Sequence, residues 1–274
     1  MKKAVILIAV IFCLASAAYT QDFRSNKEKY TIPKADKALK MGETLNYRME
    51  WLGVPMGNIT LKIEGIKKIN GRDCYHITAR AVPNRFFAKL YDVEYIVHTY
   101  IDVQTFNTMR FEKTRRMKKD FNYVEIDFDW EKQEARYKTQ GSAYTIELSK
   151  ARSEILSDTP NTLKIMNGVQ DLFSSFYCLR LMDLEEGKVY KLMVYYDQKH
   201  WQLDIKPEEP FLRDIRDKGS FVVFGVSINS KLNEYVLGRR DIHVYLTADT
   251  RRIPIEFKFH TGIGLIRGKI RNPL

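Results

Sequence analysis

Histidine, serine and carboxylate are the side chains here that could bind a metal, attack a carbonyl or move a proton, and their spacing argues against all three. The five histidines, His76, His98, His200, His243 and His260, include no pair at i, i+2 or i, i+4, the spacings that put two ligands on one face of a strand or helix. No metal and no cofactor is expected, and His98 and His243 read as ordinary strand residues. No serine stands in a G-x-S-x-G elbow and no glycine-rich phosphate loop opens a helix. Asp127 and Asp129, two apart, would share one face of a strand, but acid–base work also needs a cleft. Beside Glu125 and Lys132 they read as a solvated face. An enzyme would have to gather scattered groups such as His98, Asp127 and Arg180, so no catalytic residue is assigned.

Arg180 stands out for a different reason. It falls in the segment 167–183, in which Val169, Leu172, Phe173, Phe176 and Leu179 recur at helical spacing, with Asp171, Ser174, Ser175 and Cys178 opposite. Asn167 and Gln170 have the spacing of a capping box, and Gly187 offers a stop. On this wheel Arg180 lies within the apolar side, where a guanidinium must be paired or snorkel. Asp183, Glu43 and Asp249 are candidate carboxylate partners; an anionic ligand in a cavity is the alternative. Asp249 and Arg252 invite the same choice between a turn that satisfies its own backbone and a ligand contact. The candidate ligand-binding set is Arg180, Glu43, Trp51, Asp171, Phe173, Phe176, Asp249 and Arg252, served by the aromatics of the strands.

The rest of the chain must build the surface that buries this helix. Met1-Lys2-Lys3, the apolar run Ala4–Leu14 and the small residues Ala15-Ser16-Ala17-Ala18 have the form of a secretory signal peptide, residues 1–18. Cys13 follows Phe12 inside the apolar run, which excludes a lipoprotein signal. The expected address is periplasmic or secreted, and no later stretch has the roughly 18 apolar residues of a membrane helix. Nucleic acid is a poor partner for such a chain. The net charge is +11, or +9 without Lys2 and Lys3, with basic runs at Lys113–Lys119, Arg239-Arg240 and Arg251-Arg252. These runs read as solvated strand and turns, or as attraction to anionic headgroups or acidic glycans. Cys74 and Cys178 are expected as free thiols, since spacing alone gives no bridging geometry.

Residues 19–41 are polar and aperiodic and read as a leader; residues 42–274 read as one β-rich domain. Leu45, Tyr47, Met49 and Trp51 alternate with polar neighbours, as do Ile59, Leu61 and Ile63. Gly53–Gly57 is taken as a turn, and Asn70-Gly71 as a tight hairpin. Further strands are expected over 72–81, 91–101, 105–117, 121–130, 134–139, 143–148, 188–196, 200–205, 211–217, 220–229, 235–237, 240–247, 253–260 and 265–270. That many short antiparallel strands must curl or split. The fold class is mainly β, a strongly curved sheet as partial barrel, β-spiral or sandwich, with the helix near 167–183 packed on it.

Three groups of residues bear a resemblance. Gly42-Glu43-Thr44-Leu45-Asn46-Tyr47 with Trp51-Leu52-Gly53 and Gly57 resembles the opening of the bacterial envelope family known as domain of unknown function 3108. Asp171-Leu-Phe-Ser174, Leu179-Arg180 and Glu186–Tyr190 resemble its central helix and next strand. Thr247-Ala-Asp249, Arg251–Pro254 and Gly262-Ile-Gly264 resemble its close. At Lys218-Gly219-Ser220-Phe221 the pattern departs from the small residue such chains tend to carry. The resemblance covers residues 41–271 and implies an exported β-rich protein, similar in shape to half-barrel carriers of lipids and lipoproteins. It implies no reaction.

Together these readings give a non-enzymatic envelope protein that binds or carries a lipid, acyl chain or anionic glycan between sheet and helix. The alternative is a scaffolding protein whose basic surface contacts peptidoglycan or a protein partner.

Overall fold

The structure, a computed structural model, describes residues 39–118, 120–141, 162–196, 199–215, 219–230, 241–261 and 264–271. Fourteen strands form a single antiparallel sheet: β1 (Thr44–Trp51), β2 (Val54–Ile69), β3 (Arg72–Pro83), β4 (Glu94–Asp102), β5 (Thr108–Met117), β6 (Asp120–Asp129), β7 (Glu134–Gly141), β8 (Thr162–Lys164), β9 (Tyr190–Tyr196), β10 (Lys199–Ile215), β11 (Gly219–Asn229), β12 (Asp241–Thr247), β13 (Pro254–Thr261) and β14 (Gly264–Ile270). Among the described residues the helices are α1 (Arg85–Leu90) and α2 (Leu172–Leu181). The sheet order runs β8 to β1 and then β14 to β9. Nearly every strand therefore pairs with its neighbour in sequence, and the exception is the seam at the middle, where β1 meets β14 with Tyr47 opposite Ile270.

Period-two alternation sets the face that each strand buries. Tyr47 and Met49 on β1, Ile59, Leu61 and Ile63 on β2, Ile77 and Ala79 on β3 and Tyr95 and Val97 on β4 point to the concave side and are buried. The far edge tucks in under the near one. Met193 and Tyr195 of β9 pack against Ile126, Phe128 and Ala135 of β6 and β7, together with Ile165 and Val169. The sheet is thus rolled, with one margin inside the other. Its inner edge is capped as well: the Gln170 N–H donates to the Met193 carbonyl at 2.9 Å, and the Tyr195 N–H donates to Gln170 at 2.7 Å. Edge backbone groups that would otherwise recruit another chain are satisfied internally there.

The Asn70-Gly71 hairpin forms as the sequence predicts, with φ of 50° and 80° at the two turn residues. Elsewhere the boundaries move for local reasons. The turn expected over Gly53–Gly57 is only Leu52-Gly53, because both residues take positive φ and close a two-residue hairpin between Trp51 and Val54. Strands expected over 200–205 and 211–217 are one long strand, β10, whose Pro207 and Pro210 sit at a bulge that spares their missing N–H groups. The strand expected from Thr105 begins at Thr108, because the Asp102 carboxylate accepts the Gln104 and Thr105 N–H groups and holds a turn. Helix α1 and strand β8 were not legible as such. Leu39, placed in the leader by composition, is buried against Ile63, Tyr75 and Tyr177. The strands expected over 143–148 and 235–237 lie outside the described residues, as does the signal peptide.

Candidate functional site

Helix α2 lies within the curl of the sheet and touches both halves. Tyr177, Cys178 and Leu181 pack on Ile63, Tyr75, Ile77, Ile101 and Phe106. Leu179 and Met182 pack on Leu192, Val194, Leu203, Val226 and Leu246 from the other half. Its start and end differ from the sequence reading. The N-cap is Asp171, whose Oδ1 accepts the Phe173 and Ser174 N–H groups at 2.7 and 3.0 Å, and the helix stops at Met182. Gln170 cannot join a helical turn, since both its backbone groups are given to β9, and Asn167 instead accepts from the Gln133 side-chain amide.

The amphipathic reading holds at Val169 and Leu179, which are buried, and is reversed elsewhere. Ser174, Ser175 and Cys178, expected to face away from the sheet, are buried, whereas Leu172, Phe173 and Phe176 are only half-buried. The reason is a polar pocket in the sheet that the sequence could not show. Thr99 Oγ1 donates to Asp171 Oδ2 at 2.5 Å, and Thr108 Oγ1 lies 3.1 Å from the same oxygen and 2.7 Å from Ser174 Oγ. Thr108 Oγ1 also accepts the Asp171 N–H at 3.0 Å, while the Gln170 amide donates to the Phe106 carbonyl. Burial pushes the Asp171 carboxyl above its ordinary value, with these donors opposing the shift. Threonines on β4 and β5 thus hold the helix by its polar side and turn its phenylalanines elsewhere.

Arg180 is buried and its charge is met. Its Nη1 and Nη2 donate to the two carboxylate oxygens of Glu43 at 2.6 and 2.8 Å, and Nη2 also donates to the Arg251 carbonyl. Burial works against this charge, but the Glu43 carboxylate outweighs it and raises the guanidinium pKa. Of the three partners open to it from sequence, Glu43 is the one engaged. Asp249 caps its own turn, accepting from the Thr247 hydroxyl and the Arg251 and Arg252 N–H groups. Arg252, at φ 46°, donates to the Met182 carbonyl at the helix end and lies over the Phe224 ring. Glu43, Arg180, Asp249 and Arg252 therefore fasten the C-terminal end of α2 to the sheet.

Trp51, Phe173 and Phe176 remain. All three are half-buried and pack against one apolar cluster built from Leu45, Tyr47, Met49, Tyr95, Val97 and Ile255, as do Phe111, Met117 and Tyr91. Strand register puts Lys113 opposite Val97 and Arg115 opposite Tyr95, so both cations share the concave face. Arg115 pairs with Asp120 at 2.6 Å, while Lys113 has no carboxylate within ion-pair distance among the described residues. Lys113 carries no distinguishing signal in the sequence, since its basic run reads equally as a solvated strand.

His98 and Asp127 occupy the opposite, convex face, reached through the pairs His98–Glu112–Glu125 and Asp127–Arg110. They do not meet Arg180. Asp127 accepts from Arg110 at 2.6 Å, and Asp129 lies near Lys132 and Arg136. Cys74 and Cys178 are buried free thiols, and burial pushes the Cys74 thiol up to about 11. Among the described residues no group of three or more His, Cys, Asp or Glu could hold a metal ion.

Two histidines do give the fold a pH dependence. His76 Nε2 lies 3.0 Å from His98 Nδ1, with its ring stacked on Tyr100, and His200 Nε2 accepts the Met166 N–H at 3.3 Å. Burial pulls His76 and His200 each down to about 4. Their unfolded value is about 6.5, so between pH 6.5 and 4 the unfolded chain binds more protons. Stability should therefore be flat above about pH 7 and fall as the pH drops through that window, each histidine contributing up to about 1.4 kcal/mol per pH unit. Thermal melts from pH 7.5 to 4.5 check this. His200→Gln should flatten the slope, and a melting temperature that stays constant down to pH 5 would contradict it.

Comparison with known proteins agrees on the sheet and is silent on chemistry. No curated protein matches the chain. A β-barrel-like protein of domain of unknown function DUF1849 from Brucella abortus superposes with a TM-score of 0.52 at 12% identity, over 86% of this chain and 98% of that one. What the two share is the fold. A protein with a YmcC-like fold from Bacteroides fragilis covers 88% of this chain and 97% of its own at 9% identity, with a TM-score of 0.28, too low to bear on the fold. The model of the family described as "Protein of unknown function (DUF3108)" matches residues 46–271. That span includes the helix, its polar pocket and the β1–β14 seam, and the chain belongs to this family.

Proposed function

We propose that the chain is exported to the cell envelope and acts there without catalysis, holding a lipid or other apolar ligand between the concave face of its sheet and helix α2. One observation carries the reading: α2 buries its serines and leaves Phe173 and Phe176 half-buried. A helix with no task beyond packing gains by doing the reverse, since burying a phenylalanine is worth about 1.5–3 kcal/mol and burying a hydroxyl costs free energy unless it is bonded. Here the hydroxyls are bonded, and Phe173 and Phe176 pack against the same buried cluster as Trp51, Tyr91, Phe111 and Met117. Lys113 on the same face suits an anionic headgroup at the end of an acyl chain. The N-terminal signal pattern supports export.

The test is organic extraction of the chain purified from its native envelope, followed by mass spectrometry. An amphiphile should be recovered with the native chain and be depleted from folded Phe173→Ala/Phe176→Ala. A clean blank over repeated preparations would overturn the reading.

A further inference from the structure

One end of the rolled sheet carries a rim of large apolar side chains turned outward. Leu52 is 62% exposed, Val54 53%, Phe86 67% and Leu90 59%. They are neighbours. The Asn84 side chain, which caps α1, donates to the Pro55 carbonyl at 2.6 Å, and its N–H donates to the Met56 carbonyl at 2.9 Å, fixing α1 against the start of β2. Leu52 and Val54 flank Gly53 in the β1–β2 turn beside it. Within α1, Phe87 is the buried anchor, so that Phe86 and Leu90, four apart, form one outward stripe. Arg85 and Lys89, also four apart and exposed, run alongside it.

We propose that this rim is a membrane-docking surface that seats on a bilayer containing anionic phospholipid. Four apolar side chains on one hairpin turn and the helix beside it, each more than half exposed, are more than chance scatter. A short helix with a solvent-facing apolar stripe flanked by Arg and Lys has the pattern of a segment lying at the headgroup boundary. Charge favours the same occupant. Arg80 and Arg116 share Glu94 as their partner, and Arg85, Lys89 and Lys118 add exposed cations; beside α1 the exposed carboxylate among the described residues is Asp92, with Asp241 farther along the same end on β12. A protein partner of ordinary polarity would need complementary acidic side chains placed around a flat apolar contact, whereas a phospholipid surface supplies both layers over any footprint. Docking here does not depend on a ligand inside the sheet, so the two ideas fail separately.

The test uses the chain recovered after export, mixed with vesicles of phosphatidylglycerol and phosphatidylethanolamine or of phosphatidylcholine alone. The native chain should co-sediment with the first and not the second. Phe86→Ser/Leu90→Ser and Arg85→Glu/Lys89→Glu should each lower partitioning by about an order of magnitude without moving the melting temperature. A second reading locates the contact. Vesicles with brominated acyl chains should quench the added emission of Phe86→Trp but not that of Lys68→Trp, at the opposite end beside the Asn70-Gly71 turn. Partitioning unchanged in both double variants would overturn the proposal. So would quenching equal at the two tryptophans or absent from both, or a Phe86→Ser variant that turns a dimer into a monomer.

Discussion

Glu43→Ala should lower the stability of the fold by about 3–5 kcal/mol, shifting the urea midpoint downward by about 1–2 M. The guanidinium of Arg180 is 5% exposed and has both terminal nitrogens on this one carboxylate. Without it the charge keeps the Arg251 carbonyl and the Tyr177 ring, 5.5 Å from its carbon, in place of an anion. A buried cation cannot escape by losing its proton when it is an arginine. Arg180→Lys should also destabilise, because an ammonium reaches one carboxylate oxygen where the guanidinium fork reaches two. Glu43→Leu/Arg180→Met should recover most of the loss, since a buried pair replaced as a unit removes both desolvation costs. Urea titrations of the native chain, Glu43→Leu, Arg180→Met and the double variant give the coupling energy directly. If Glu43→Ala unfolds at the native midpoint, the pair is not the fastening described.

Asp171→Ala should cost about 2–4 kcal/mol, the sum of a lost helix cap and unmet buried donors. Four donors converge on this carboxylate, from Thr99, Thr108, Phe173 and Ser174. Asp171→Asn keeps the capping oxygen and should lose less, about 1–2 kcal/mol, because its amide brings new hydrogens toward the two threonines. Removing the pocket instead of the cap offers a control. Thr99→Val leaves Asp171 capping α2 and should cost about 1 kcal/mol. Equal losses in Asp171→Ala and Asp171→Asn would show that the negative charge, and not the cap, dominates.

The strands were the most legible part of the chain. Leu45, Tyr47, Met49 and Trp51 alternate without interruption, and a period of two needs no knowledge of partners. What failed was orientation around α2. A wheel ranks residues by hydrophobicity and so sends Ser174 and Ser175 to the outside. The pairing that buries Ser174 comes from Thr108, 66 positions earlier, and that of Asp171 from Thr99, 72 positions earlier. No local pattern marks a threonine on one strand as the acceptor and donor for a helix so far along the chain. Arg180 and Glu43 show the opposite case: a guanidinium on an apolar wheel position demands a carboxylate, so the partner could be narrowed to three and the structure selects one. Helix α1 escaped notice because six residues give less than two turns of period, and its apolar stripe faces outward, against the usual rule.

The β1–β14 seam has a kinetic consequence. Among the described strands the other pairings join consecutive strands, whereas Tyr47 and Ile270 must find each other across roughly 220 residues of chain, at a closure cost that grows with the logarithm of that length. Pairing at the seam is then the natural rate-limiting step of folding, preceded by two independently formed meanders. A circular permutant with its ends joined and its chain opened at Asn70-Gly71 would make that contact local and should refold faster.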